Sequence, residues 1–135
     1  MLEGLPRLFF EWRNMMVQIL SESKGNILGI RATGRLTDQD YEEVLIPSLE
    51  TIIKEHGMAR LLCYMDENFS GLEMGAMWDD AKFFLEHKND FEKMAIVGGR
   101  RWIEVMMELF AHFMPGDSKT FTGEQLQEAW DWIRS

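Results

Sequence analysis

Residues 58–66 form an apolar run that passes through Glu67-Asn68-Phe69-Ser70-Gly71 directly into a segment with helical spacing. A strand that feeds a helix is one βα unit, and the pattern recurs further along the chain. Residues 94–97 end at Gly98-Gly99 before a helical segment at 102–114, and residues 118–122 precede another at 124–134. Parallel neighbours need long crossovers, usually helical, so successive units of this kind predict a largely parallel sheet with right-handed connections.

The first part of the domain departs from that repeat. Two strand-like runs, 16–23 and 26–34, flank Lys24-Gly25-Asn26, a turn that predicts a β-hairpin. Thr37 and Asp40 have the spacing of an N-cap pair, and Tyr41, Val44, Leu45, Leu49, Ile52 and Ile53 then share one helical face as far as Gly57, a C-cap residue. Pro47 lies inside this helix and is expected to kink or divide it. A second helix, 70–88, is expected to carry Met74, Met77, Trp78, Ala81, Phe84 and Leu85 on one side. The fold class is therefore α/β, with a mixed, mostly parallel sheet of about five strands. Residues 16–135 read as one domain, and residues 1–15, with Leu2, Leu5, Phe9 and Trp12 at helical spacing, as an amphipathic appendage.

Composition narrows the function classes. Fourteen basic against 23 acidic residues leave a net charge of −9, which opposes a phosphate backbone, so nucleic acid is not an expected partner. A single cysteine, Cys63, sits in an apolar strand as a small buried hydrophobe and fits a reducing compartment. With no membrane-length apolar run and no signal-peptide pattern, a cytoplasmic location is expected. Eleven methionines suit an adaptable surface, although irregular core filling explains most of them.

Gly34-Arg35-Leu36-Thr37 with Asp40-Tyr41, Phe69-Ser70-Gly71 with Met77-Trp78-Asp79-Asp80, and Ala95-Ile96-Val97-Gly98 leading to Trp102 together resemble the SpoIIAA-like family over residues 16–133. These are small bacterial domains related to STAS domains and distantly similar to CRAL-TRIO lipid-carrying domains. In STAS proteins that antagonise anti-sigma factors, the corresponding junction reads Asp-Ser-Ser-Gly-Leu-Gly and its second serine is phosphorylated. Ser70, Gly71 and Leu72 match that pattern, while Asn68, Phe69 and Glu73 differ. The resemblance implies a STAS-type fold and, as one alternative, a protein–protein switch with Ser70 as the modified residue.

Ser70 and Glu73 have the spacing of a capping box, which gives the serine a structural use as well. Gly98-Gly99-Arg100-Arg101 lies between a strand and a helix, either an ordinary turn or a place for an anionic head group. The 102–114 segment is apolar around most of its circumference, with Glu104, Glu108 and His112 as its polar stripe. Trp102, Met106 and Phe110, with Phe69 and Trp78, supply more apolar surface than one tight core requires. That surplus is expected to serve an apolar or lipid-like ligand, held between the Ser70 helix and the 102–114 helix with Arg100 and Arg101 at its polar end, or else a homodimer surface. Peripheral contact with a membrane and a protein partner complete the expected associations. Adjacent Asp79 and Asp80 point about 100° apart on a helix and do not make a shared acid–base or metal pair. No metal motif, catalytic constellation or cofactor signature is legible, so the expected function is non-enzymatic.

Overall fold

The computed structural model describes residues 16–99 and 115–135. β1 (Val17–Ile19) and β2 (Ile27–Ala32) pair antiparallel across the Gly25 turn. β2 then pairs in parallel with β4 (Ala59–Met65), β4 with β6 (Phe91–Gly98), and β6 with β7 (Asp117–Phe121). The sheet order is β1-β2-β4-β6-β7, the mixed, mostly parallel five-stranded arrangement expected from the βα repeats. A separate two-stranded patch joins β3 (Arg35–Leu36) to β5 (Gly71–Leu72) in parallel. Strands of two residues carry no periodicity, and the sequence pattern contains no sign of them.

Thr37 caps the first helical stretch as its spacing predicts. Its hydroxyl oxygen accepts from the Asp40 N–H at 3.1 Å, and the Asp40 carboxylate accepts from the Thr37 N–H at 2.7 Å. Asp40 is fully buried and also accepts from the Met16 N–H at 2.8 Å, so the cap ties the start of β1 to the helix. Thr37→Ala should cost about 1 kcal/mol, read as a lower urea midpoint at unchanged slope. An unchanged midpoint would mean that water satisfies the Asp40 N–H equally well.

From Asp38–Asp40 the chain enters one wide π turn, Tyr41–Leu45, in which the Ile46 N–H reaches back to the Tyr41 carbonyl, and continues as α1 (Ile46–His56). Pro47 does not divide the helical run, contrary to expectation: it falls in the first turn of α1, directly after the π turn, and Leu45 and Ile46 at the junction both keep right-handed helical backbone. Gly57, at φ 84°, ends the helix with its N–H on the Ile53 carbonyl. α2 (Met74–His87) follows β5, and α3 (Leu126–Arg134) follows β7.

Side chains alternate across the central strands as a pleated sheet requires. Leu61 and Met65 of β4 and Met94 and Ile96 of β6 face the layer built from α1 and α2. Leu62, Ala95 and Val97 face the other way and pack with Trp130, Ala129 and Ile133 of α3. Gly29 makes that second layer possible, because a Cβ there would lie 2.3 Å from Cη2 of Trp130. Gly98, at φ 78°, ends β6 where an added Cβ would lie 2.3 Å from the Met65 carbonyl oxygen. The strand ends at Met65 and Gly98 are thus direct neighbours.

Candidate functional site

On the α1/α2 side of the sheet the two layers do not close completely. A hollow of about 320 Å³ remains, floored by Ile30, Leu61, Cys63 and Ile96 and walled by Tyr41, Leu45 and Leu49 on one side and by Phe83, Phe84 and Asp80 of α2 on the other. Phe69, Leu72 and Met65 close one end. Met77 and Ala81 line the hollow and are also exposed, so they mark where it reaches the surface. A wider depression of about 510 Å³ lies outside, between Pro47, Glu50 and Lys54 of α1 and His87. Its lining is largely exposed and mixed in charge, so it lacks the desolvated walls of the inner hollow.

One polar corner interrupts the apolar lining. The Tyr41 hydroxyl donates to Asp80 Oδ1 at 3.0 Å. Burial pushes the Asp80 carboxyl up to about 6, and the Tyr41 hydrogen bond offsets part of that rise. Tyr41 itself is raised well above its ordinary 10.0, by burial first and then by the Asp80 charge. Burial, followed by the same carboxylate, pushes the Cys63 thiol up to about 12. These three groups come from the π turn, the middle of α2 and the central strand β4. Asp79 diverges from Asp80 as helical geometry requires, and its Oδ2 is buried without a hydrogen-bond partner among the described residues.

Of the positions expected to form the site, only Phe69, Ser70 and Trp78 are among the described residues, and they do not all meet at the hollow. Phe69 is buried and lines the hollow. Ser70 is exposed and caps nothing: its N–H donates to the Gly34 carbonyl at 2.7 Å, and the Glu73 N–H to Leu36 at 2.8 Å. Pairing of β5 with β3 consumes the backbone that a capping box would need, and Gly71 at φ 131° is incompatible with a helix. α2 consequently begins at Met74, behind Glu73 with no side-chain cap. The proposed helix start at Ser70 is therefore corrected, and with it the dipole facing that serine.

Trp78 is 72% exposed and does not line the hollow. Met74 and Leu85 are also on the outer side, at 84% and 76%. The helix is turned relative to the face expected from its apolar spacing, because Ala76, Phe83 and Phe84 occupy the inward side. Arg100, Arg101, Trp102, Met106 and Phe110 lie outside the described residues, as do the segment 1–15 and the segment 102–114 expected to be helical. Among the described residues, the helical walls of the hollow come from α2 and from the stretch Tyr41 to Leu49.

Sequence reasoning passed over Tyr41 and Asp80 as ligand-facing groups. The available signal was Asp80 itself, a carboxylate four residues from both Ala76 and Phe84 and so on the stripe they share. Asp66, by contrast, is spoken for at the end of β4: it accepts from Arg31 Nε at 3.0 Å and from the Asn68 N–H at 2.9 Å.

A family model described as SpoIIAA-like matches residues 27–134, most of the chain. The chain belongs to the SpoIIAA-like family. A solved structure similar to this SpoIIAA-like chain is that of an uncharacterised protein of the DUF3478 family with a SpoIIAA-like fold from Shewanella loihica PV-4. It is 31% identical, the match covers 87% of this chain and 93% of that one, and the TM-score is 0.68. No curated protein matches. The five-stranded sheet and its flanking helices are thus those of a STAS-type domain. Among the described residues of this SpoIIAA-like domain, no helix is long and apolar enough to cross a membrane.

Proposed function

We propose that this SpoIIAA-like domain is a non-enzymatic module that binds an apolar or lipid-like molecule in the hollow between the sheet and α2. The observation that carries the reading is an apolar hollow of about 320 Å³ in the middle of the principal core, where close packing is the rule. Ligand sites are concave, mostly apolar and furnished with a few polar groups, and among its described residues this one has a single polar corner. Its opening by Met77 and Ala81 adjoins the exposed Met74, Trp78 and Leu85. An apolar patch at a mouth of this kind supports peripheral contact with a membrane from which such a ligand is taken. The same patch also suits a homodimer contact.

Native mass spectrometry on freshly purified protein should reveal a co-purifying apolar species that organic solvent extracts. Ala81→Phe, which places a ring at the exposed mouth, should abolish that species while leaving the melting curve intact. An empty wild-type protein that also takes up no added 1-octanol would refute the reading.

A second reading, a protein–protein switch of the anti-sigma antagonist type, is favoured by the exposure of Ser70 at the strand end. Ser70→Asp should then change the set of proteins retained from a cell extract, whereas a ligand carrier predicts the same set.

A further inference from the structure

We infer that the Tyr41–Asp80 corner selects, among apolar molecules, those that carry a hydrogen-bond-donating head such as a hydroxyl or an amine, and turns carboxylates away. The inference rests on reading the hollow as a ligand site. Its warrant is the donor and acceptor count of the three polar side chains that line it. The one Tyr41 proton is committed to Asp80 Oδ1, so the phenol presents only its oxygen lone pairs. An ionised carboxylate is acceptor-only, and Asp80 Oδ2 receives no hydrogen bond among the described residues. Cys63 remains a thiol, a weak donor. Among the described residues the lining thus offers two strong acceptors and no strong donor, so a buried head without hydrogens finds nothing there to bond. A carboxylate head would place one anion against another where little water screens them.

The volume bounds the ligand. At about 30 Å³ per water in the liquid, the hollow has room for roughly ten non-hydrogen atoms. Among the described residues, the titratable group that acts on Asp80 is Tyr41, through its hydrogen bond, and Cys63 feels the Asp80 charge in turn; both are neutral near pH 7.5. Protonation of Asp80 removes the stronger acceptor, so binding of a neutral donor should weaken as the pH falls through about 6.

The test compares 1-octanol, its methyl ether 1-methoxyoctane, and octanoate by calorimetric titration at pH 7.5 and pH 5. The full-length protein and Asp80→Asn are titrated in parallel. Wild type should bind octanol at least about tenfold tighter than the ether and octanoate weakest of all, with octanol several-fold weaker at pH 5. In Asp80→Asn the amide oxygen can keep the Tyr41 hydrogen bond while its NH₂ faces the hollow, so the preference for octanol over octanoate should shrink or reverse. Equal binding of octanol and the ether, unaltered by the substitution, would overturn the head selection while leaving the apolar site standing. Failure of all three to bind would remove the ligand-site reading and this inference with it.

Discussion

At pH 8, Cys63 of the folded protein should alkylate about thirtyfold more slowly than an ordinary cysteine. The thiolate is the nucleophile, and raising the thiol from its ordinary 9.0 to about 12 cuts the thiolate fraction at pH 8 about a thousandfold, while the greater basicity of that thiolate returns about thirtyfold in intrinsic reactivity. The larger cause is burial on the floor of the hollow, and the smaller is the Asp80 carboxylate, so Asp80→Asn should recover a few-fold of the rate. Transient global unfolding does not mask the effect, since a stability of at least about 5 kcal/mol keeps the unfolded fraction below about one part in a thousand. Timed iodoacetamide labelling read by intact mass, with and without guanidinium, measures both rates. Labelling at the ordinary rate in the folded state would mean that water fills the hollow and solvates the thiol.

Asp80→Asn should stabilise the fold by about 2 kcal/mol at pH 7.5 and have little effect at pH 4. A carboxyl raised from 3.8 to about 6 keeps its proton in the folded protein over a window in which the unfolded chain has released it. The native state then binds more protons than the unfolded state, so stability falls as the pH rises from about 4 to about 6. That interval corresponds to about 3 kcal/mol at 1.36 kcal/mol per pH unit, reduced to about 2 because the side chain keeps partial contact with solvent. The amide can still accept the Tyr41 hydrogen bond without a buried charge. Urea unfolding of both proteins at pH 4 and pH 7.5 should show the variant's advantage over wild type growing from near zero to about 2 kcal/mol, the difference cancelling the titration of every other group. A difference that is the same at both pH values would mean that the carboxylate is fully hydrated. A charge that weakens the fold at neutral pH is understandable where the group serves binding, as stability and function often trade at such sites.

Local signals carried most of the architecture. The Gly25 turn, the Thr37–Asp40 pair and the Gly57 C-cap all depend on residues within a few positions of one another, and each forms as its spacing implies. Ser70 shows the limit of that reasoning. Its spacing to Glu73 is correct for a cap, but pairing with residues 35–36, more than thirty positions away, takes the same backbone groups. The rotation of α2 has a related cause: apolar residues lie on both of its sides, and the choice between Trp78 and the Phe83-Phe84 pair is made by the sheet it packs on. The hollow was least legible, because incomplete closure is a property of the space between layers. Tyr41 and Asp80 are 39 residues apart and meet only through the fold.

The most direct test of an apolar binding hollow is a titration of protein carrying 13C-labelled Ile, Leu and Met methyl groups with 1-octanol, followed by NMR. Saturable shifts should centre on Ile30, Leu45, Leu49, Leu61 and Met94, with Met74 and Leu85 moving little. Shifts confined to those two exposed residues, or a linear response with no saturation, would contradict the account.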